Sequence, residues 1–268
     1  MDVLWGVREV IQAAAQHPEV ASWALRGWEY LFGKRVSIAF TGMEGVGKTV
    51  LLHHLTGEAF EPGYQRPLQS ESGESGTIRP GKARINVTTI PGQKSYPRVV
   101  ALDKIFNEKD PVQGVVHLVS WGYPTIRTRE VKDSLLNNQG ATTIDKLRGV
   151  LLKDEEDDFT QTCQYIRASH NKKLSPKWLL LAIDKVDLYE DKVEKARVWY
   201  SSGFFAKKLQ ELQGQLGSDY FRWAILPVCA CLDPFEWNGE LIQPKIDDQG
   251  RAAYLTQLHR SLANFCQG

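Results

Sequence analysis

The chain has 268 residues, of which 42 % are hydrophobic, and 33 basic against 32 acidic side chains give a formal net charge of +1. That length fits one large domain or a domain with an appendage, and the apolar share can fill a core without disulfide or metal staples. A charge balance this close to zero argues against a nucleic-acid platform or a polybasic membrane anchor.

At the start, Val3, Leu4, Val7, Ile11 and Ala14 recur at helical spacing, and Pro18 suits the first turn of a second helix carrying Val20, Trp23, Ala24, Trp28 and Leu31. Residues 1–33 are therefore expected to form a helical extension ahead of the main domain, 34–268, packed on it or offering an aromatic stripe to a partner. Asp2, Glu9, Glu19 and Glu29 outweigh Arg8 and Arg26 there, which disfavours anionic lipid.

From Lys34 onward, strand signals alternate with helix signals. "RVSIAF" is β-rich, a Gly-rich turn follows, and "KTVLLHHLTG" reads as a helix that Gly57 closes. "ARINVTTI" alternates like a half-buried strand, with "PGK" as a tight turn before it. "PVQGVVHLVS", "KWLLLAI" and "FRWAILPVCA" are continuous apolar runs, as buried parallel strands require. Tyr254, Leu255, Leu258, Leu262 and Phe265 form the apolar face of a terminal helix. The expected fold class is α/β, three layers on a mostly parallel central sheet. Residues 59–76 read as a mobile loop, and 122–176 as an insertion with a helix around "DFTQTCQYIRAS".

The octapeptide "GMEGVGKT", Gly42 to Thr49, matches the phosphate-loop pattern in full. Gly42, Met43, Glu44, Gly45, Val46 and Gly47 would curl their amides toward a β-phosphate. Lys48 would bridge the β- and γ-phosphates, and the Thr49 hydroxyl, followed by Val50, would bind Mg²⁺. Two segments compete for the magnesium-side strand: "KWLLLAIDKVD", ending in Asp184 as the Walker B acid of an ATPase, and "INVTTIPGQ", which has Thr89 where an acid is usual. The second lies about forty residues after Lys48, a natural span for a helix, a loop and a hairpin. It also supplies Gly92 and Gln93 where a γ-phosphate would be sensed, and it leaves "DKVD" for base recognition at a strand end.

On these motifs, in this order, the chain resembles the Ras-like small GTPases (P-loop GTPases), above all their Arf-like and bacterial MglA-like branches. "TIPGQ" is similar to the T-x-P-G-Q turn of MglA-type proteins, "DKVD" resembles N-K-x-D, and "VCA" around Cys229 and Ala230 resembles the S-A-K loop. The resemblance implies a cytoplasmic, prokaryotic molecular switch that binds GTP or GDP with Mg²⁺ and hydrolyses GTP slowly until a partner assists. It makes Gln93 the residue that orients attacking water, and Asp187 the acceptor for guanine N1 and N2. It packs Lys185 over the base, and puts a hydroxyl such as Thr89 in place of the missing acid, acting on the metal through water. By strand spacing Ser70 or Ser72 fits the switch-I metal ligand, with Thr77 as a further candidate. Arg66, Arg79 and Arg84 are candidates for an internal arginine finger. An effector or activating protein would meet residues 1–33 or the switch segments 59–76 and 92–106.

Several positions depart from that pattern. Asp184 stands for Asn, Glu44 for a frequent Gly, Ser120 for Asp, and Cys231 for the Lys of S-A-K. They motivate two alternatives: a nucleotide-binding interaction module with little hydrolysis, and the ATPase built on Asp184. The four cysteines, Cys163, Cys229, Cys231 and Cys266, lack C-x-x-C spacing, and their scarcity suits a reducing cytoplasm. No apolar run reaches the roughly twenty residues of a membrane span. Neither a signal peptide nor a lipidation motif is expected from "MDVLWGVREV" or "NFCQG". His53, His54 and His117 are read as structural.

Overall fold

A computed structural model describes residues 35–67, 73–79, 84–93, 95–107, 112–172 and 175–267. The expected helices at 1–33 and the candidate ligands Ser70 and Ser72 lie outside the described residues.

Six strands form the central sheet: β1 (Arg35–Thr41), β2 (Ser75–Ile78), β3 (Arg84–Thr89), β4 (Gly114–Val119), β5 (Trp178–Ile183) and β6 (Arg222–Pro227). Their order is β2-β3-β1-β4-β5-β6. All pairs are parallel except β2 with β3, whose register sets Ile78 opposite Ile85. β4 and β5 are buried along their full length, which accounts for their unbroken apolar sequence. Successive residues face opposite layers: Val115, Val119, Leu179 and Leu181 enter one core, and Val116, Leu118, Leu180 and Ala182 the other.

One layer holds α1 (Lys48–Thr56) and α7 (Asp248–Gln267), the latter burying Leu258 and Leu262 completely. The other holds α2 (Tyr96–Asn107), α4 (Ile144–Asn171), α5 (Val193–Ser202) and α6 (Phe204–Leu216), with α3 (Arg129–Asn137) just before α4. The chain is thus a three-layer α/β domain with a mostly parallel central sheet.

The stretch 122–176 contains α3 and one 28-residue helix, α4, which starts at Ile144, well before the segment expected to be helical. The Thr143 hydroxyl caps it by accepting the Lys146 N–H at 3.3 Å. The apolar stripe of α4 runs from Leu147 and Leu151 through Phe159 to Ile166, so it serves as a core crossover helix.

A small hairpin, β7 (Phe235–Trp237) and β8 (Glu240–Ile242), was not anticipated. Asn238 and Gly239 make its two-residue turn with φ of 47° and 84°, the primed-turn geometry that Asn-Gly favours. The hairpin pins the start of α4: Trp237 Nε1 donates to Ala141 O at 2.6 Å, and Glu240 accepts the Ile144 N–H at 3.0 Å.

Candidate functional site

The carboxyl ends of β1, β3, β4 and β5 converge on the turn between β1 and α1. There Gly42, Gly45 and Gly47 all have positive φ, which winds the loop around the start of α1. Gly47 is doubly constrained. Its φ is 102°, and a β-carbon on it would collide with Asp184 Oδ2. The side chain of Val46 is fully buried in the core, and Lys48 Nζ donates to the carbonyls of Gly42 and Met43, both at 2.8 Å.

One cavity is walled by Glu44, Gly45, Gly47, Lys48, Thr49 and Val50 from this turn, and by Thr89, Ile90, Pro91, Gly92 and Gln93 from the end of β3. Pro67 and Arg127 complete it. Gly92 lies so close that a β-carbon there would come within 2.5 Å of Glu44 N and 2.7 Å of Lys48 Nζ. Only glycine allows this approach, so the turn that would sense a γ-phosphate rests directly on the loop that would hold it. Gln93 Nε2 donates to Glu44 Oε1 at 3.5 Å, tying the end of β3 to the phosphate loop.

Thr89 is 2 % exposed and borders this cavity, but its hydroxyl is engaged by the Glu74 peptide. It accepts the Glu74 N–H at 2.8 Å and donates to Glu74 O at 3.3 Å. The hydroxyl therefore fastens the approach to β2 onto β3. Thr77 sits mid-strand on β2 and donates to Asn86 Oδ1 at 3.2 Å, away from the cavity. Arg84 and Arg79 belong to the opposite end of β2 and β3, about five residues or roughly 16 Å along the strand from Thr89. Arg66 pairs instead with Asp233, so none of the three expected finger candidates lines the cavity.

A second cavity adjoins on the β5–β6 side, lined by Lys185, Asp187, Leu188, Thr125, Cys231, Asp233, Phe235 and Arg66, among others. Asp187 Oδ1 accepts Cys229 Sγ at 3.8 Å, and Oδ2 accepts the Asp233 N–H at 3.1 Å. Asp184 Oδ1 accepts the Ala230 N–H at 2.9 Å. The structure thus brings Asp184, Lys185, Asp187, Cys229 and Ala230 together at the ends of β5 and β6. The Asp184 carboxyl points at the Ala230 loop and Gly47, and it is not part of the phosphate-loop cavity.

Burial sets the charges here. It lowers Lys48 to about 7, against the raising effect of Asp158, and it raises Asp184 to about 7, against backbone hydrogen bonds from Lys185 and Ala230. Burial also raises the Asp187 carboxyl above its ordinary range.

Beneath the phosphate loop lies a buried ionic cluster that the sequence reading missed. Arg98 of α2 is 1 % exposed and donates to the carbonyls of Gly42, Pro91 and Gly92 at 3.2, 3.1 and 3.2 Å. It pairs with Asp158 of α4, and His117 of β4 stands 3.8 Å from the same carboxylate. The readable signal was a basic residue on one apolar stripe, Arg98-Leu102-Phe106, and acidic residues on another. His117 donates or accepts with Thr41 Oγ1 at 2.9 Å, and His53 bonds Tyr64 and Glu74, structural roles for both.

No family model matches the chain, and no curated protein matches it. Among solved structures, one titled "The Structure of the Mammalian SRP Receptor" is 16 % identical, with 85 % of this chain and 99 % of that one covered at a TM-score of 0.45. The G domain of the T. maritima FeoB iron transporter is also 16 % identical, with 87 % and 99 % covered at a TM-score of 0.38. At those values no ligand or activity transfers from either protein.

Proposed function

We propose that the chain binds GTP with Mg²⁺ and hydrolyses it to GDP and phosphate, slowly without a partner, as a molecular switch. One observation carries this reading: a single cavity joins Lys48 and Thr49 to Gly92 and Gln93, and the adjoining cavity holds Asp187 and Lys185. A triphosphate in the first would place its base toward the second. The loop amides and Lys48 would hold the phosphates, and Asp187 would accept the N1 and N2 protons that guanine has and adenine lacks. Both Asp187 oxygens already accept one donor, and each keeps a lone pair for the base.

The residues present suit Mg²⁺, a hard cation that keeps waters and takes few protein ligands. The Thr49 hydroxyl would supply the protein ligand, with phosphate oxygens and water completing the set. Bound there, the ion would neutralise charge developing between the β- and γ-phosphates. Gln93 would orient the water that attacks the γ-phosphorus, released from Glu44 as it does so.

The switch segments 59–76 and 92–106 would rearrange between GTP and GDP. Immediately after Gln93, α2 exposes Tyr96 at 81 %, Val99 at 46 % and Val100 at 45 %, an apolar surface suited to an effector or activating protein. The "TIPGQ" turn supports a place near the MglA-like branch, and with it a prokaryotic, cytoplasmic setting. Phosphate release from purified protein tests the reaction. Lys48→Ala should abolish it and Gln93→Leu should lower it by about 10² or more. GTP binding with background release unaffected by either change would favour the interaction-module alternative.

A further inference from the structure

Arg127 was not singled out by any sequence motif, yet among the described residues it is the cation that the fold carries to the phosphate cavity from outside the phosphate loop. It belongs to the segment 120–128 between β4 and α3, which is fastened at both ends. Glu155 Oε1 accepts the Ser120 and Gly122 N–H groups at 2.9 and 3.2 Å, and the Trp121 N–H donates to the Tyr200 hydroxyl oxygen at 3.1 Å. The Arg148 guanidinium lies over Trp121 and Tyr123, 4.2 and 4.7 Å from the ring centroids. Further on, the Thr125 N–H donates to Gly45 O at 3.0 Å, and Lys185 Nζ donates to Thr125 Oγ1 at 2.8 Å. Contact with Gly45 is so close that a β-carbon on it would overlap the Thr125 peptide. Thr128 then precedes the first turn of α3.

Arg127 is therefore held two residues beyond a direct contact with the phosphate loop. It shares the cavity with Glu44, Lys48, Thr49, Gly92 and Gln93. Among the described residues its charge acts on Glu44, Arg66 and Lys48, of which Arg66 is already paired with Asp233. Glu44 in turn accepts Gln93 Nε2. A carboxylate beside a terminal phosphate would repel it, and a guanidinium on the same wall removes that objection.

We propose that Arg127 is a catalytic cation supplied in cis: its guanidinium takes the γ-phosphate oxygens and stabilises the charge they gather in the transition state. The proposal rests on the GTP-hydrolysis reading above. The oxygen of water bonds to the γ-phosphorus, and the bond from that phosphorus to the β–γ bridging oxygen breaks. The bridging oxygen keeps the electron pair as part of GDP, and the water proton leaves with phosphate or to solvent. Arg127 stays protonated throughout and gives up no proton.

The test uses the full chain, labelled GTP and GDP, and GDP with aluminium fluoride and Mg²⁺ as a transition-state mimic. The wild type should trap aluminium fluoride without a partner protein. Arg127→Ala should bind GTP and GDP within a few-fold of wild type, lose the trapping, and lose about 10³-fold in single-turnover rate. Arg127→Lys, with the charge but not the planar fork, should fall between them. Arg129→Ala, two residues away on the exposed start of α3, should match the wild type in all three. Undiminished turnover or trapping in Arg127→Ala overturns the proposal, as does a wild type that binds GTP but never traps. A wild type that binds no GTP overturns the function reading itself.

Discussion

Arg98 and Asp158 form an ion pair at 2.5 Å with both side chains 1 % exposed, directly beneath the phosphate loop. Because the same guanidinium donates to Gly42, Pro91 and Gly92, one buried charge links the loop expected to grip phosphate with the turn expected to sense it, and both with α4. Removing Arg98 alone would take the paired guanidinium from the buried Asp158 carboxylate and a donor from the Pro91 and Gly92 carbonyls, while Gly42 O keeps Lys48 Nζ. Arg98→Met should cost about 3–5 kcal/mol in urea unfolding, and pairing it with Asp158→Leu should recover part of that loss. A single mutant within about 0.5 kcal/mol of wild type would show that the pair contributes little.

Lys48 has a pKa of about 7 because burial disfavours its charge, and a bound phosphate would restore that charge. At pH 8 nucleotide binding should therefore take up close to one proton, and affinity should fall toward tenfold per pH unit above 7. Calorimetry in two buffers of different ionisation enthalpy measures the uptake directly. Affinity that is flat between about pH 6.5 and 9 would contradict the shift.

Asp184 is raised to about 7 by burial, so it binds its proton more tightly folded than unfolded. Its contribution to stability is then fully present below the unfolded pKa near 4 and is lost as pH rises through 7. Protonated, it offers the donor that an Asn would supply in N-K-x-D. Asp184→Asn should flatten stability between about pH 4 and 8, gain up to about 4 kcal/mol at pH 8, and leave hydrolysis intact. Melting curves at both pH values read the first effect, and loss of phosphate release in this variant would instead restore the Walker B reading.

The layers, the parallel strands and the phosphate loop were legible because each is local: an apolar run of six, an alternating run, a glycine spacing. The pairing of Asp184 and Asp187 with Cys229 and Ala230 was legible for another reason, since both motifs end neighbouring parallel strands and must converge. What sequence did not disclose depends on partners distant in the chain. Arg98 meets a carboxylate 60 residues away, and Arg127 reaches the cavity only because Thr125 is bonded to Gly45. Thr89 was expected to act on a metal through water, and the hydroxyl is turned to the Glu74 peptide because β2 joins β3 antiparallel at that point. The Asn238-Gly239 turn was readable in principle, since that dipeptide favours hairpins, but its strands have only three residues each.

The most direct measurement of the central claim is a calorimetric titration of the full chain with GTP and with ATP, each with and without Mg²⁺, beside Lys48→Ala. Saturable heat for GTP that Mg²⁺ strengthens, far weaker heat for ATP, and none in Lys48→Ala is the predicted result. Equal or tighter ATP binding would contradict guanine recognition by Asp187, and no heat with any triphosphate in folded protein would contradict the nucleotide site altogether.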